Sequence, residues 1–175
     1  PVITEALAIR RKLYGTQPHP DVARSLEVLG LNYFDRGEYE TAIKYLREGT
    51  AMQHKLHPQA HPALAESIDT LAFALMEIGK PEEAEPLTRL ALAMKRQLYG
   101  EVHPETASGL NNLAYVPESR GRHDDAEATY RAALATNRKL LGQSHPTIAV
   151  NLSNIAFVEY AKGEKKPAIR TLRES

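Results

Sequence analysis

The dipeptide His-Pro recurs in register at His19, His61, His103 and His145, each copy 42 residues after the last. A glycine follows each copy at one fixed offset (Gly37, Gly79, Gly121, Gly163). An alanine follows each glycine at another (Ala42, Ala84, Ala126, Ala168). Three columns held in one register over four copies make the chain an array of repeats. No other feature of the sequence constrains the fold as tightly.

The first full copy shows what one unit must be. Pro20 stands where a first helical turn tolerates proline, and Asp21 follows near the positive end of the helix dipole. Leu26, Leu29, Gly30 and Tyr33 fall at i, i+3, i+4 and i+7, one helical face. Gly37 supplies the left-handed residue that ends a helix. A second helix then carries Ala42, Ile43, Leu46 and Gly49 and runs to about Leu56. The pattern predicts inner helices over 20–36, 62–78, 104–120 and 146–162, and outer helices over 39–56, 81–98, 123–140 and 165–174. Ala6–Gly15 nearly repeats Ala91–Gly100. The chain therefore reads as one solenoid domain, 1–175: an outer helix of a truncated repeat (1–15), repeats at 19–60, 61–102 and 103–144, and a truncated repeat at 145–175.

Neither helix of a unit can bury its apolar stripe alone. Stacked antiparallel pairs can, which predicts an all-α solenoid with an extended concave surface. Both ends cut a unit, so the chain is expected to be a fragment of a larger protein, or to associate end to end through uncapped apolar surface.

Composition excludes several classes of function. Lys+Arg and Asp+Glu both number 22, giving zero formal net charge and no nucleic-acid footprint or polybasic membrane patch. The chain has no cysteine, so disulfides and thiolate metal sites are excluded, and a cytoplasmic location is expected. Leu71–Met76 is the longest apolar run, far short of a bilayer span, so no membrane insertion is expected.

Leu110-Asn-Asn-Leu-Ala114, with looser copies at Leu152–Ala156, Ile68–Ala72 and Leu26–Gly30, completes the pattern. With the small residues Gly30, Ala72, Ala114 and Ala156 and the glycine and alanine columns, it resembles the tetratricopeptide repeat family. The 42-residue period and the His-Pro linker resemble the kinesin light chain type. Armadillo and HEAT repeats have similar periods, but the glycine-then-alanine spacing fits the two-helix unit better. The resemblance implies a right-handed superhelix and covers essentially the whole chain. The sequence departs from the pattern at Pro117, Thr88, Glu159 and Gly49. Proline inside a helix removes a backbone bond and clashes with the preceding turn, at about 3 kcal/mol, so a kink or local unwinding is expected near Tyr115–Arg120.

Catalytic motifs are missing. There is no glycine-rich phosphate loop, Gly-x-Ser-x-Gly, His-Glu-x-x-His or cysteine nucleophile, so no catalytic residue and no cofactor is expected. Glu82-Glu83 and Asp124-Asp125 open outer helices, where they offset the helix dipole. His54, His57 and His61 cluster, but His61 belongs to the linker column. The repeat-spaced histidines are too far apart to share a metal. A structural linker role and no metal site are expected.

The resemblance places ligand contacts on the inner helices. Leu31, Phe73, Tyr115 and Phe157 recur once per unit as an apolar and aromatic ladder, or as packing between neighbouring inner helices. One turn on lie Phe34, Met76 and Tyr160. One turn earlier stand Glu27, Asp69, Asn111 and Ser153, with Asn112 and Asn154 beside them. An asparagine amide can both donate and accept, so it can pair with an extended peptide backbone or with another helix. Glu27, Asp35, Glu66, Asp69 and Glu77 make the first two units acidic, whereas Asn111, Ser153, Phe157 and Tyr160 make the last two neutral and aromatic. The expectation is a non-catalytic module that binds a protein or peptide segment in the concave groove, basic at one end and apolar at the other. The alternative is a spacer or oligomerisation scaffold within a larger signalling or transport protein.

Overall fold

The computed structural model describes residues 2–174. Among them are nine α-helices and no strand: α1 (Val2–Tyr14), α2 (Pro20–Asp35), α3 (Tyr39–Leu56), α4 (Pro62–Glu77), α5 (Pro81–Tyr99), α6 (Pro104–Ser119), α7 (His123–Leu141), α8 (Pro146–Ala161) and α9 (Lys165–Arg173). The fold is the expected solenoid of helix pairs, and the sequence boundaries hold to within a residue or so. The inner helices α2, α4, α6 and α8 are each 16 residues long and start 42 residues apart, which keeps their columns in register.

Each inner helix is punctuated in the same way. The preceding histidine is the N-cap, in extended backbone. Its Nδ1 accepts the backbone N–H two residues on: Asp21 from His19, Ala63 from His61, Glu105 from His103 and Thr147 from His145, each at 3.2 Å. That satisfies one of the orphan donors of the first turn. Proline then occupies the first helical position, where its missing N–H costs nothing. At the other end, Gly37, Gly79, Gly121 and Gly163 take φ of 70–83°. The residue after each glycine donates back across the turn: Glu38 to Tyr33, Lys80 to Leu75, Arg122 to Pro117 and Glu164 to Glu159, at 2.8–2.9 Å. This six-to-one bond closes the helix end, and it requires the left-handed residue beside it.

The unwinding expected around Pro117 does not occur. α6 runs unbroken to Ser119, the register at which α2, α4 and α8 also end. Pro117 lies in the last turn, so only one intrahelical bond is lost. Its carbonyl takes the bonds from Arg120 and Arg122, and its ring is buried.

The chain divides into two compact units, Pro1–Met94 and Lys95–Ser175. In the first, Leu7, Val22, Leu26 and Leu29 form one buried cluster under Ile3, Tyr33, Tyr45 and Met52, and Leu64, Ile68 and Ala91 form another. In the second, Ile148, Leu152, Ile155 and Val158 of α8 pack on Ala114, Ala126, Tyr130 and Leu134. Each fully buried aliphatic side chain contributes about 1.5–3 kcal/mol. The departures from the repeat pattern are accommodated locally. Buried Thr88 donates its hydroxyl to the Ala84 carbonyl at 3.0 Å. Glu159, 2% exposed, accepts from Arg131 and from the Thr171 hydroxyl, each at 2.8 Å.

Candidate functional site

In the first unit, α2 and α4 carry the candidate residues. Leu31 and Phe73 are exposed, at 41% and 53%. Phe34 is half-buried, with its ring edge-on to Tyr39 and 6.4 Å from the Phe73 ring, so an aromatic pair joins the two inner helices. Met76 is buried at 7% and serves the packing of α4, so its side chain is withdrawn from any ligand. Glu27 and Asp69 are half-buried. Glu27 accepts from Gln53 Nε2 at 3.4 Å. Burial pushes its carboxyl up from the ordinary carboxylate range and nearby Glu66 adds to this, against the hydrogen bonds from Ser67 and Gln53.

In the second unit the same columns carry different chemistry. Asn112 and Ser153 are exposed, and Asn111, Tyr115 and Asn154 are half-buried. Phe157 and Tyr160 stand 61% and 62% exposed. Ser153, Phe157 and Tyr160 of α8 face Lys165, Ile169 and Leu172 of α9 across a cleft of about 500 Å³. The outer-helix wall of this cleft was not foreseen, although Ile169 and Leu172 sit at helical spacing with Ala168. Asn111 takes the inter-helix alternative. Its Oδ1 accepts from Asn151 Nδ2 at 3.0 Å, and Asn151 Oδ1 accepts from Asn137 Nδ2 at 2.8 Å. Asn151 and Asn137 are 0% and 3% exposed. An inter-helix bond and a half-exposed face are therefore combined in one residue.

The second unit is also braced by ions. Lys162 meets Asp124, Glu127 and Glu164 at 2.8–3.1 Å, and its hydrogen bonds hold the Asp124 and Glu127 carboxyls below the usual range. Among the described residues, no cluster of three or more His, Cys, Asp or Glu is arranged to hold a metal ion. No helix there is long and apolar enough to cross a membrane.

A tetratricopeptide repeat profile matches residues 63–136 and 107–175, and a second such profile matches residues 22–63. The chain belongs to the tetratricopeptide repeat family. Among solved tetratricopeptide repeat structures, one is a kinesin-light-chain-type protein of nearly identical repeats from Podosopora anserina. It is 25% identical, with TM-score 0.78, over 89% of this chain and 74% of that one. BtubC (BKLC) from P. vanneervenii is 24% identical, with TM-score 0.83, over 98% of this chain and 68% of that one. A Rap protein complexed with competence and sporulation factor shares the fold at 16% identity and TM-score 0.73, over 97% of this chain and 45% of its own. No curated protein matches the sequence. The tetratricopeptide repeats here are kinesin-light-chain-like, and as a member of this family the protein is a protein–protein interaction module.

Proposed function

We propose that the protein is a non-catalytic, cytoplasmic module that binds an extended or short helical protein segment on its inner-helix faces. One observation carries this reading. Leu31, Phe73 and Phe157 stay exposed, and Tyr115 half-exposed, while Leu26, Leu29, Leu71, Leu75, Leu152 and Ile155 of the same helices are buried. The exposed residues recur every 42 positions. An exposed aromatic beside half-buried polar groups is the make-up of a binding hot spot, where truncation to alanine costs more than about 1 kcal/mol. The acidic column of the first unit favours basic residues in the ligand, and the second unit favours apolar ones. Linear peptides selected from a random display library test this. Phe73→Ala and Phe157→Ala should each weaken the selected peptides at least about fivefold. Peptides that bind both variants as well as wild type would overturn it.

A second reading is a spacer that associates through apolar ends. It is favoured by exposed Ile169 and Leu172 at 53% and 52%, and by Ile9 and Leu13 of α1 at 59% and 70%. Light scattering that shows growing mass with concentration, abolished by Leu172→Glu, would support it.

A further inference from the structure

The second unit contains a chain of amides whose direction matters. Asn137 on α7 donates to Asn151 on α8, and Asn151 donates to Asn111 on α6. Both donors lie in the interior, and Asn111 lies at the half-exposed edge. A carboxamide is planar, with oxygen on one side and nitrogen on the other. With its oxygen held inward by Asn151, Asn111 turns its NH₂ outward.

In the first unit the same three positions, 84 residues earlier, also carry polar side chains, though there Gln53 reaches the edge residue directly. Glu27, Gln53 and Ser67 occupy the positions of Asn111, Asn137 and Asn151. There Gln53 Nε2 donates to the Glu27 carboxylate at 3.4 Å, and the Ser67 hydroxyl, 2.9 Å from the Thr50 hydroxyl, lies close enough to favour the ionised carboxylate. An ionised carboxylate only accepts, so chemistry fixes the direction as inward donor to edge acceptor. The two units thus share one polarity. Where the edge residue is Glu27, the group left over for a ligand is again an acceptor. Where it is Asn111, the group left over is a donor.

We propose that Asn151 is a positioning residue that fixes the Asn111 carboxamide with its NH₂ toward the ligand, so that the second unit selects hydrogen-bond acceptors, namely main-chain carbonyls of a bound peptide. This rests on the inner-helix binding reading above and sharpens it. Without Asn151, Asn111 would be ambivalent, able to meet a carbonyl or an N–H by turning over. With it, the site has one sense, and a peptide docks in one direction and register. The first unit, with Glu27 at the edge, takes N–H or cationic donors.

Two experiments test it. In the free protein, NMR coupling across the hydrogen bond should link the Asn151 side-chain nitrogen to the Asn111 side-chain carbonyl carbon. The Asn137 and Asn151 NH₂ protons should exchange slowly and those of Asn111 fast. Coupling in the opposite sense, from Asn111 nitrogen to Asn151 carbon, overturns the proposal. The second experiment uses a peptide selected on the wild-type protein from a random linear display library. Asn151→Ser keeps a donor, as Ser67 does in the first unit, and should bind within about threefold of wild type. Asn151→Asp offers only acceptors when ionised, which makes Asn111 give its own NH₂ inward, and should lose about tenfold, one hydrogen bond's worth. Unfolding midpoints show that each variant is folded. If Asn151→Asp fails to fold, the coupling experiment and the serine variant still decide. If Asn111→Ala binds the peptide normally, or no peptide is selected, the binding reading fails whatever the NMR shows. If Asn111→Ala loses the peptide while Asn151→Asp keeps it, the positioning role alone fails.

Discussion

Gly30→Ala should destabilise the protein, opposite to the usual sign for a glycine in mid-helix. Replacing such a glycine by alanine ordinarily gains about 1 kcal/mol. Here an added Cβ would stand 2.7 Å from Leu46 Cγ, 2.8 Å from its Cδ2 and 3.2 Å from the Ala42 carbonyl oxygen. Leu46 is 1% exposed and has no open side to move into. Overpacking of this kind costs about 1–3 kcal/mol, so the net loss should be about 1 kcal/mol. Gly49 is the control. Its added Cβ would meet the half-buried Glu27 side chain at 3.1 Å and nothing else closer than 3.4 Å, and Ala91 and Ala133 already occupy that column fully buried. Gly49→Ala should therefore gain about 0.5–1 kcal/mol. The second repeat shows a relieved version, with Ala72 and Thr88 in the columns of Gly30 and Leu46. Leu46→Thr should accordingly offset part of the Gly30→Ala loss, with a coupling of at least about 0.5 kcal/mol. Urea unfolding followed by far-UV circular dichroism measures the wild type, the three single variants and the double variant. If Gly30→Ala raises the midpoint, or is merely additive with Leu46→Thr, the close approach of Leu46 is not what holds glycine at this position.

Changes at four other residues test separate parts of the structure. His103→Ala should cost about 1 kcal/mol in thermal unfolding by removing the Nδ1 cap of α6, and His103→Asp should recover most of it. Glu159→Leu should lie within about 1 kcal/mol of wild type or above it, since Tyr33 and Leu75 fill the same column and Arg131 is half-exposed and free to hydrate. Arg131→Ala should lose about 1–2 kcal/mol by leaving the buried carboxylate with Thr171 as its remaining partner. Glu27 has a raised carboxyl pKa, so between the ordinary carboxylate range and the raised value the folded state binds more protons than the unfolded. Stability must fall as pH rises through that window. Glu27→Gln should therefore raise the melting temperature at neutral pH and leave it unchanged in acid, and an equal gain at both would refute the burial argument.

The helices were legible because each carries its own start and stop in the sequence. His-Pro marks the cap and first turn, and glycine marks the left-handed exit, so the boundaries followed from spacing alone. What the histidine side chains do was not legible, since a linker residue and an N-cap look alike in a string of letters. Pro117 misled because distance from the helix end, not helix membership, sets the cost of a proline. The site was harder still. The exposed ladder of Leu31, Phe73 and Phe157 could be named from its period. Met76 shares its column with Tyr160, yet Met76 is 7% exposed and Tyr160 62%, so the column alone does not set exposure. Asn151 was invisible. It lies next to Leu152–Ala156, and a fully buried amide is identified only by its partners Asn137 and Asn111, 14 and 40 residues away.

The uniform punctuation of the inner helices has a consequence for how such a chain can change length. Each boundary is assembled from residues a few positions apart: the histidine with the residue two after it, and the glycine with the bond that spans it. Joining the chain at one His-Pro to the chain at another restores a whole boundary, with its cap, proline and exit intact. Gain or loss of 42 residues is therefore locally silent, whereas a change of any other length breaks a cap, an exit or the alignment of columns. The array can lengthen or shorten by whole steps, and each step adds or removes one copy of every column of the repeat.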